Sequence, residues 1–385
     1  MTNTRSLHLR VGELVEVRSE QEILATLDDS GALDGLPFMP EMLAFCGQRL
    51  RVEKRADKAC DTINYSGSRR LYDTVLLAGG RCTGDAHGGC QTGCLLFWKE
   101  AWLRRVASGP RIRDRRSPGV DPAVGPPIQT RCDRARLVSA TRKSTELNDG
   151  DPPYRCQATD LLLATSPMAW WDPRQYMRDV LSGNVGIMDV IHAMLFRLFL
   201  LLLRLRGYRL LMWSYSRLQS WRGGTPFPFK RGVLDKTPRS TLGLEPGELV
   251  RVKSQEEILK TVNTRNRNHG LSFDPEMVRY CGGVYRVRGR VERIIDERTG
   301  KMIALSNDCI VLDGVVCQAE YSHKRLFCPR SLYPFWREIW LERVTGVDAA
   351  APRLAVASGC PASGCDGRAG DTAEASQSEG TSRLR

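Results

Sequence analysis

The chain carries one unit twice, and that repeat limits the folds open to it. Shifted by 235 positions, Gly12–Cys82 lies on Gly247–Cys317 without a gap, and 26 of the 71 residues are identical. GELVEVRSEQEIL becomes GELVRVKSQEEIL, and LPFMPEMLAFCG becomes LSFDPEMVRYCG. Beyond Cys82 the second copy gains three residues, after which FWKEAWLRRV (Phe97–Val106) matches FWREIWLERV (Phe335–Val344). A gapless register requires the same strands in both copies, because one inserted residue turns every later side chain in a strand to the other face.

The local patterns within the unit are mixed. GELVEV and GELVRV alternate apolar and polar residues, as half-buried strands do. Arg49–Lys54, Tyr285–Arg290, Thr74–Leu77 and Cys309–Leu312 alternate likewise, and Glu292–Met302 reads as two strand ends around a turn at Thr299-Gly300. Ser19-x-x-Glu22 and Ser254-x-x-Glu257 are capping boxes that start short helices. Pro40-Glu41-Met42 and Pro275-Glu276-Met277 put proline in a helix first turn, where its missing N–H is harmless. Trp98 and Trp102, like Trp336 and Trp340, stand four apart, the spacing of a terminal helix anchored in the core. The fold class expected is α+β: two repeated small β-barrel-like (SH3-like) modules with short helices, joined by a linker and a helical middle segment. The modules cover residues 11–106 and 245–344. Residues 107–159, rich in Pro, Arg, Ser and Asp, read as a disordered linker, 160–236 as the middle segment, and 348–385 as a disordered tail.

A net charge of +13 favours anionic partners. Much of that charge sits in expected loops, no nucleic-acid-binding motif is present, and nucleic acid is not favoured. The segment MTNTRSLHLRVGELVEV lacks the apolar core of a secretory signal, so a cytoplasmic location is expected. There the thirteen cysteines would stay reduced, and clustered thiols point to metal or redox chemistry.

The retained donors form one constellation per copy. The first runs Cys46, Cys82-x4-His87-x2-Cys90-x3-Cys94; the second runs Cys281, Cys317-x5-His323-x4-Cys328. A structural zinc site takes four thiolate or imidazole ligands from tight turns, and the glycine-rich RCTGDAHGGCQTGC supplies such a turn. A Cys3His zinc site is therefore expected in both copies. Cys60 and Cys94 have no thiol counterpart in the second copy, and if they join, an iron–sulfur cluster or redox thiol pair is the alternative. Cys60 is otherwise read as an inert buried thiol, together with Cys132, Cys156, Cys309, Cys360 and Cys365. Glu41 or Asp73 could serve as a general base beside a metal-bound water, but the helix dipole alone explains Glu41 as a first-turn carboxylate.

Ile187–Trp213 is the most apolar stretch, interrupted by Asp189 and Arg197. It falls short of a comfortable span, and Arg197 and Arg204 share a face. The reading is an amphipathic helix lying on an anionic membrane surface, with a helix packing the modules together and a single-pass span as alternatives.

The phrases LPFMPEMLAFCG, HGGCQTGCLLFWKEAWL, GLSFDPEMVRYCGG and ERIIDERTGKMIALSNDCIVL resemble those of a bacterial protein family. The resemblance covers both modules and the WWDP…TPFPF segment between them, and it implies no activity, cofactor or catalytic residue. Three function classes follow: a metal-stabilised binding or accessory protein, acting at the membrane in envelope or surface-sugar assembly; a metalloenzyme or redox enzyme using the first module; and a nucleic-acid-binding protein. The absence of a nucleotide loop, nucleophile elbow or paired-carboxylate motif weighs toward the first. The protein partner and oligomeric state are not legible.

Overall fold

Leu14–Val17 is an interior strand of the first module's sheet. It pairs antiparallel with Arg49–Arg55 on one side and Leu103–Arg105 on the other. A computed structural model of the chain describes residues 6–106, 132–143, 153–202, 213–215, 217, 221, 227–322 and 324–344. The first sheet has five strands in the order Leu95–Lys99, Thr74–Arg81, Arg49–Arg55, Leu14–Val17, Leu103–Arg105. The second has four in the matching order: Ile310–Leu312, Val284–Arg290, Leu249–Val252, Leu341–Arg343. An isolated bridge between Ile310 and Trp336 stands where the first sheet places Leu95–Lys99.

The registers repeat as well. Leu14 faces Arg51 and Val15 faces Leu50; 235 positions on, Leu249 faces Arg286 and Val250 faces Tyr285. Each long strand slips register between Val52 and Lys54, or between Val287 and Gly289. An extra residue at such a point bends the strand and increases its twist, which curls each sheet into a half-barrel around its own core. The whole is a mixed α+β architecture of mostly strands with few helices.

A buried carboxylate fixes the same corner in each copy. Glu100 accepts from the backbone N–H groups of Leu7 (2.6 Å), His8 (3.0 Å) and Leu9 (2.9 Å), and from Arg55 Nη1 at 2.7 Å. Glu338 accepts from Leu242, Gly243 and Leu244 N–H, and from Arg290 Nη2 at 2.5 Å. The incoming chain thus lies across the sheet with its orphan amides satisfied. Trp102 and Trp340 beneath this corner are fully buried, and their indole N–H groups donate to Thr26 (3.0 Å) and Thr261 (2.9 Å).

Three expectations change in the folded chain. The Trp98–Trp102 spacing does not mark a helix: Leu95–Lys99 is a strand, Glu100–Trp102 a single 3-10 turn, and Leu103–Arg105 a strand again. The turn rotates the chain so that both indoles point inward, which imitates helical spacing. The described parts of 107–159 are ordered. Arg134–Ser139 is a helix capped by Asp133, and Cys132 and Leu137 are buried against the first core. The buried Gln157 amide accepts from Phe97 N–H at 2.8 Å and donates to the carbonyls of Phe97 and Pro37, both at 2.9 Å. A few well-placed anchors order these residues despite their low average apolar content. The rest of that linker, and the tail, lie outside the described residues. Finally, the Pro40 and Pro275 helices are 3-10 turns, Pro40–Phe45 and Pro275–Tyr280.

The copies meet around a pseudo-twofold relation. Thr62 and Glu297 are equivalent positions, and the Thr62 hydroxyl donates to Glu297. Cys60 N–H points at Cys328 Sγ (3.1 Å), while Ile295 N–H points at Cys90 Sγ (3.4 Å); both partners of one contact are the counterparts of the other. Such reciprocity is the mark of an isologous interface, here within one chain. The helix Arg174–Ser182 braces the first module through a buried Lys58–Asp179 ion pair at 2.6 Å and reaches the second through the edge contact of Tyr176 with Phe327.

The carboxylate corner predicts an acid limb of stability. Burial raises the Glu100 carboxyl, but the Leu9 amide and Arg55 outweigh it; burial likewise opposes the three amides and Arg290 at Glu338, and both groups titrate below the ordinary 4.5. A depressed folded value contributes stability that is present above 4.5 and lost as pH falls through the folded value. Glu100→Gln should cost about 1.5–3 kcal/mol at neutral pH, the range for hydrogen bonds to charged groups, and should flatten the acid limb. Urea unfolding at neutral and acid pH measures both, and a variant as stable as the parent would refute the role.

Candidate metal centre

The loop after Thr74–Arg81 turns back within twelve residues, from Cys82 to Cys94. Its ends are tied by Cys82 N–H to Cys94 C=O at 2.8 Å, and its middle by His87 N–H and Gly89 N–H to Gly84 C=O at 3.0 and 2.9 Å. Gly84 has φ +81°, and a Cβ there would sit 2.1 Å from Cys90 O. Gly88 has φ +74°, and a Cβ would strike the Tyr154 ring at 2.6 Å. Only glycine fits either place, and the tight loop that results turns His87 inward until it is 1 % exposed.

There His87 meets Cys82 and Glu41. Cys82 Sγ lies 3.3 Å from Glu41 Oε1 and 3.4 Å from His87 Nε2, and His87 Nδ1 lies 3.5 Å from Glu41 Oε1. One ligand atom from each of the three lies within 4.8 Å of the others. Tetrahedral zinc, with bonds of about 2.0–2.3 Å, sets its donors roughly 3.3–3.7 Å apart, so both edges from the sulfur already have the required length. Glu41 Oε2 and His87 Nδ1 are buried without a hydrogen-bond partner. Burial lowers the imidazole's proton affinity against the opposing pull of Glu41 and Asp85, which leaves a neutral ring with a free lone pair. Burial first, and Glu41 second, push the Cys82 thiol far up. A divalent cation resolves these tensions together: with thiolate, carboxylate and neutral imidazole the site has zero net charge, the cheapest state to bury.

The expected ligand sets are partly regrouped. Cys82 and His87 come together, while Cys46 and Cys90 stand outside the group. Cys46 ends the 3-10 turn, where burial and then the Glu20 carboxylate raise its thiol. Cys90 packs with Tyr154 and Ile295 and accepts the Ile295 amide. Burial alone dominates at Cys94, pushed up to about 12. Glu41 enters as a donor, a role given to it only as a base by its sequence. The available signal was its retention as Glu276 one residue after a proline.

In the second copy the described residues include no such group. Glu276 accepts instead from the backbone N–H groups of Glu320 (3.0 Å), Tyr321 (2.6 Å) and Ser322 (3.0 Å). Burial still pushes its carboxyl up to about 7. Cys317 stays near it and is pushed up to about 12, mainly by burial and then by Glu276. Cys281 packs on the second core with its thiol at about 12, again through burial. Cys328 lies against Cys60, and His323 falls outside the described residues, as do Cys360 and Cys365. Cys132, Cys156 and Cys309 are buried thiols that do not belong to the triad.

Beside the triad is a cavity of about 40 Å³, lined by Met39, Cys90, Cys94, Cys156 and Gln157 together with Cys82 and His87. No family model matches the chain, and no curated protein or solved structure matches it either.

Proposed function

We propose that the protein is a metal-stabilised accessory protein whose first module holds one divalent cation, zinc by its donor set, on Glu41, Cys82 and His87. The observation that carries this is the buried triad, with one ligand atom of each residue within 4.8 Å of the others, in which Glu41 Oε2 and His87 Nδ1 find no hydrogen-bond partner. A water takes up about 10–15 Å³ of such a cavity, so 40 Å³ admits about three waters as further ligands and is small for an organic substrate. That favours a site that stiffens the Cys82–Cys94 loop over a site of turnover. An iron–sulfur cluster is held mostly by thiolates, and the triad offers one. We also read each curled sheet as an SH3-like barrel, on the strength of the shared strand order and the shared bulge.

Elemental analysis of the purified chain tests the reading. One zinc per chain is expected, lost in Cys82→Ser and His87→Asn and kept in Cys46→Ser and Cys90→Ser. Chelation should lower the melting temperature of the parent and leave Cys82→Ser unmoved. A parent that takes up no metal from excess zinc, or whose metal follows Cys46, would overturn it.

We propose further that the helix Ile187–Leu202 lies on an anionic bilayer. No described helix is long and apolar enough to cross a membrane, and sixteen residues reach only about 24 Å at 1.5 Å each. Arg197 faces the protein, donating to Ser322 C=O at 3.1 Å, and Phe196 packs edge-on against Tyr321 at 5.4 Å. The opposite side exposes Ile187, Met188, Ile191, Leu195, Leu198 and Leu202. Exposed Trp170 and Trp171 in the preceding segment suit the headgroup level, and the charge of +13 suits an acidic leaflet. Arg204, Arg206 and Arg209 lie outside the described residues. Phosphatidylglycerol vesicles should sediment the parent, phosphatidylcholine vesicles should not, and Leu195→Glu with Leu198→Glu should abolish the binding. A parent left in the supernatant with both would contradict it.

A further inference from the structure

The sequence treats Cys60 as inert and Cys328 as a metal ligand, but the fold sets them against each other at the junction of the two copies. Both are almost fully buried, at 8 and 4 % exposure. Cys60 N–H approaches Cys328 Sγ at 3.1 Å, and the two side chains pack in one buried cluster. Cys317 packs on the same small cluster. The equivalent contact in the other direction pairs Cys90 with Ile295, so at this pair of equivalent contacts only one joins two cysteines.

The surroundings favour negative charge on Cys328. The Arg330 guanidinium is buried beside the pair, donating to Cys60 C=O at 3.2 Å and to Thr62 Oγ1 at 2.8 Å, with Glu297 at 3.1 Å as its counter-ion. Burial pushes the Cys328 thiol up, yet the Cys60 S–H, the Arg330 backbone N–H and the Arg330 charge bring it below its ordinary value. The hydrogen bond to Cys328, and then burial, drive Cys60 the opposite way. The surroundings thus favour the proton on Cys60 over Cys328, the division of labour a redox pair needs. A cleft of about 470 Å³, lined by both cysteines with Arg325, Arg330, Tyr65 and Cys317, leads to them from solvent.

We infer that Cys328 and Cys60 form a peroxide-reactive pair, Cys328 attacking and Cys60 closing a disulfide that links the two copies. In the first step the Cys328 thiolate attacks one oxygen of hydrogen peroxide or a small hydroperoxide. The O–O bond breaks, Cys328 becomes a sulfenic acid, and the other oxygen leaves and takes a proton from solvent. Cys60 sulfur then attacks Cys328 sulfur; the S–S bond forms, the S–OH bond breaks, and the hydroxyl leaves as water with the Cys60 proton. Two thiols are oxidised and one peroxide is reduced by two electrons. The reading stands apart from the metal centre, whose ligands are other residues.

Peptide mapping of the full chain decides it. After peroxide treatment, alkylation and tryptic digestion without reductant, residues 59–69 should be recovered linked to 326–330; each peptide contains a single cysteine. Cys60→Ser should instead leave a sulfenic acid on 326–330 that dimedone labels, and dithiothreitol should restore both free thiols in the parent. Peptides 59–69 and 326–330 that remain alkylated after peroxide would overturn the inference, and so would a link from Cys328 to Cys317 or any other cysteine.

Discussion

The two copies depend on each other for the polar groups at their rims. Each sheet closes its own core, but the loops beyond it leave backbone donors and thiols that only the other copy satisfies. Cys60 N–H finds Cys328, Ile295 N–H finds Cys90, and Thr62 meets its own counterpart Glu297. The loop that carries Cys82 and His87 is clamped in the same way. Gln91 N–H donates to Arg293 C=O at 3.1 Å, and the Gln91 side-chain oxygen accepts from Glu292 and Arg293 N–H at 2.6 and 3.1 Å. Tyr154, whose N–H donates to Gly300 C=O at 2.7 Å, closes over Gly88. The Glu41–Cys82–His87 group, which could hold a metal, is therefore held in shape by the second module.

Duplication followed by divergence has left one frame with two uses. The Glu–Cys element, Glu41 with Cys82 and Glu276 with Cys317, survives in both copies. What approaches the carboxylate differs: an imidazole in the first, three backbone amides in the second. Amides stand where a cation would otherwise meet the Glu276 carboxylate, although burial still holds its carboxyl up at about 7. The change coincides with the three-residue insertion after Cys317, which lengthens that loop. The thiol pair shows the converse asymmetry. Cys328 and Cys90 are equivalent, but Cys328 accepts from the N–H of a cysteine and Cys90 from that of Ile295, the counterpart of Cys60.

Much of the frame is legible in the sequence because it rests on local rules. The capping boxes at Ser19 and Ser254, the alternating strands and the Thr299-Gly300 turn each follow from spacing alone, and the gapless repeat carries them to both copies. Long-range chemistry was hidden where local pattern imitates something else. Trp98 and Trp102 imitate a helix because a 3-10 turn resets the strand. Glu41 passes for a dipole-compensating carboxylate because nothing nearby in sequence says that His87 will reach it. Cys60 lies 268 residues from Cys328, and no spacing rule relates them. The curled sheet and Cys82 with His87 could be read from the chain; the third donor and the thiol pair required the fold.

The claim on which the account turns is that Glu41, Cys82 and His87 share one metal ion. An anomalous difference map at the zinc edge, from crystals of the full chain grown with zinc, tests it without reference to activity. The account predicts a single strong peak in the first module, within bonding distance of Cys82 Sγ, a His87 ring nitrogen and a Glu41 carboxylate oxygen. A map without a peak there, or with its peak on Cys46 and Cys90, would contradict it.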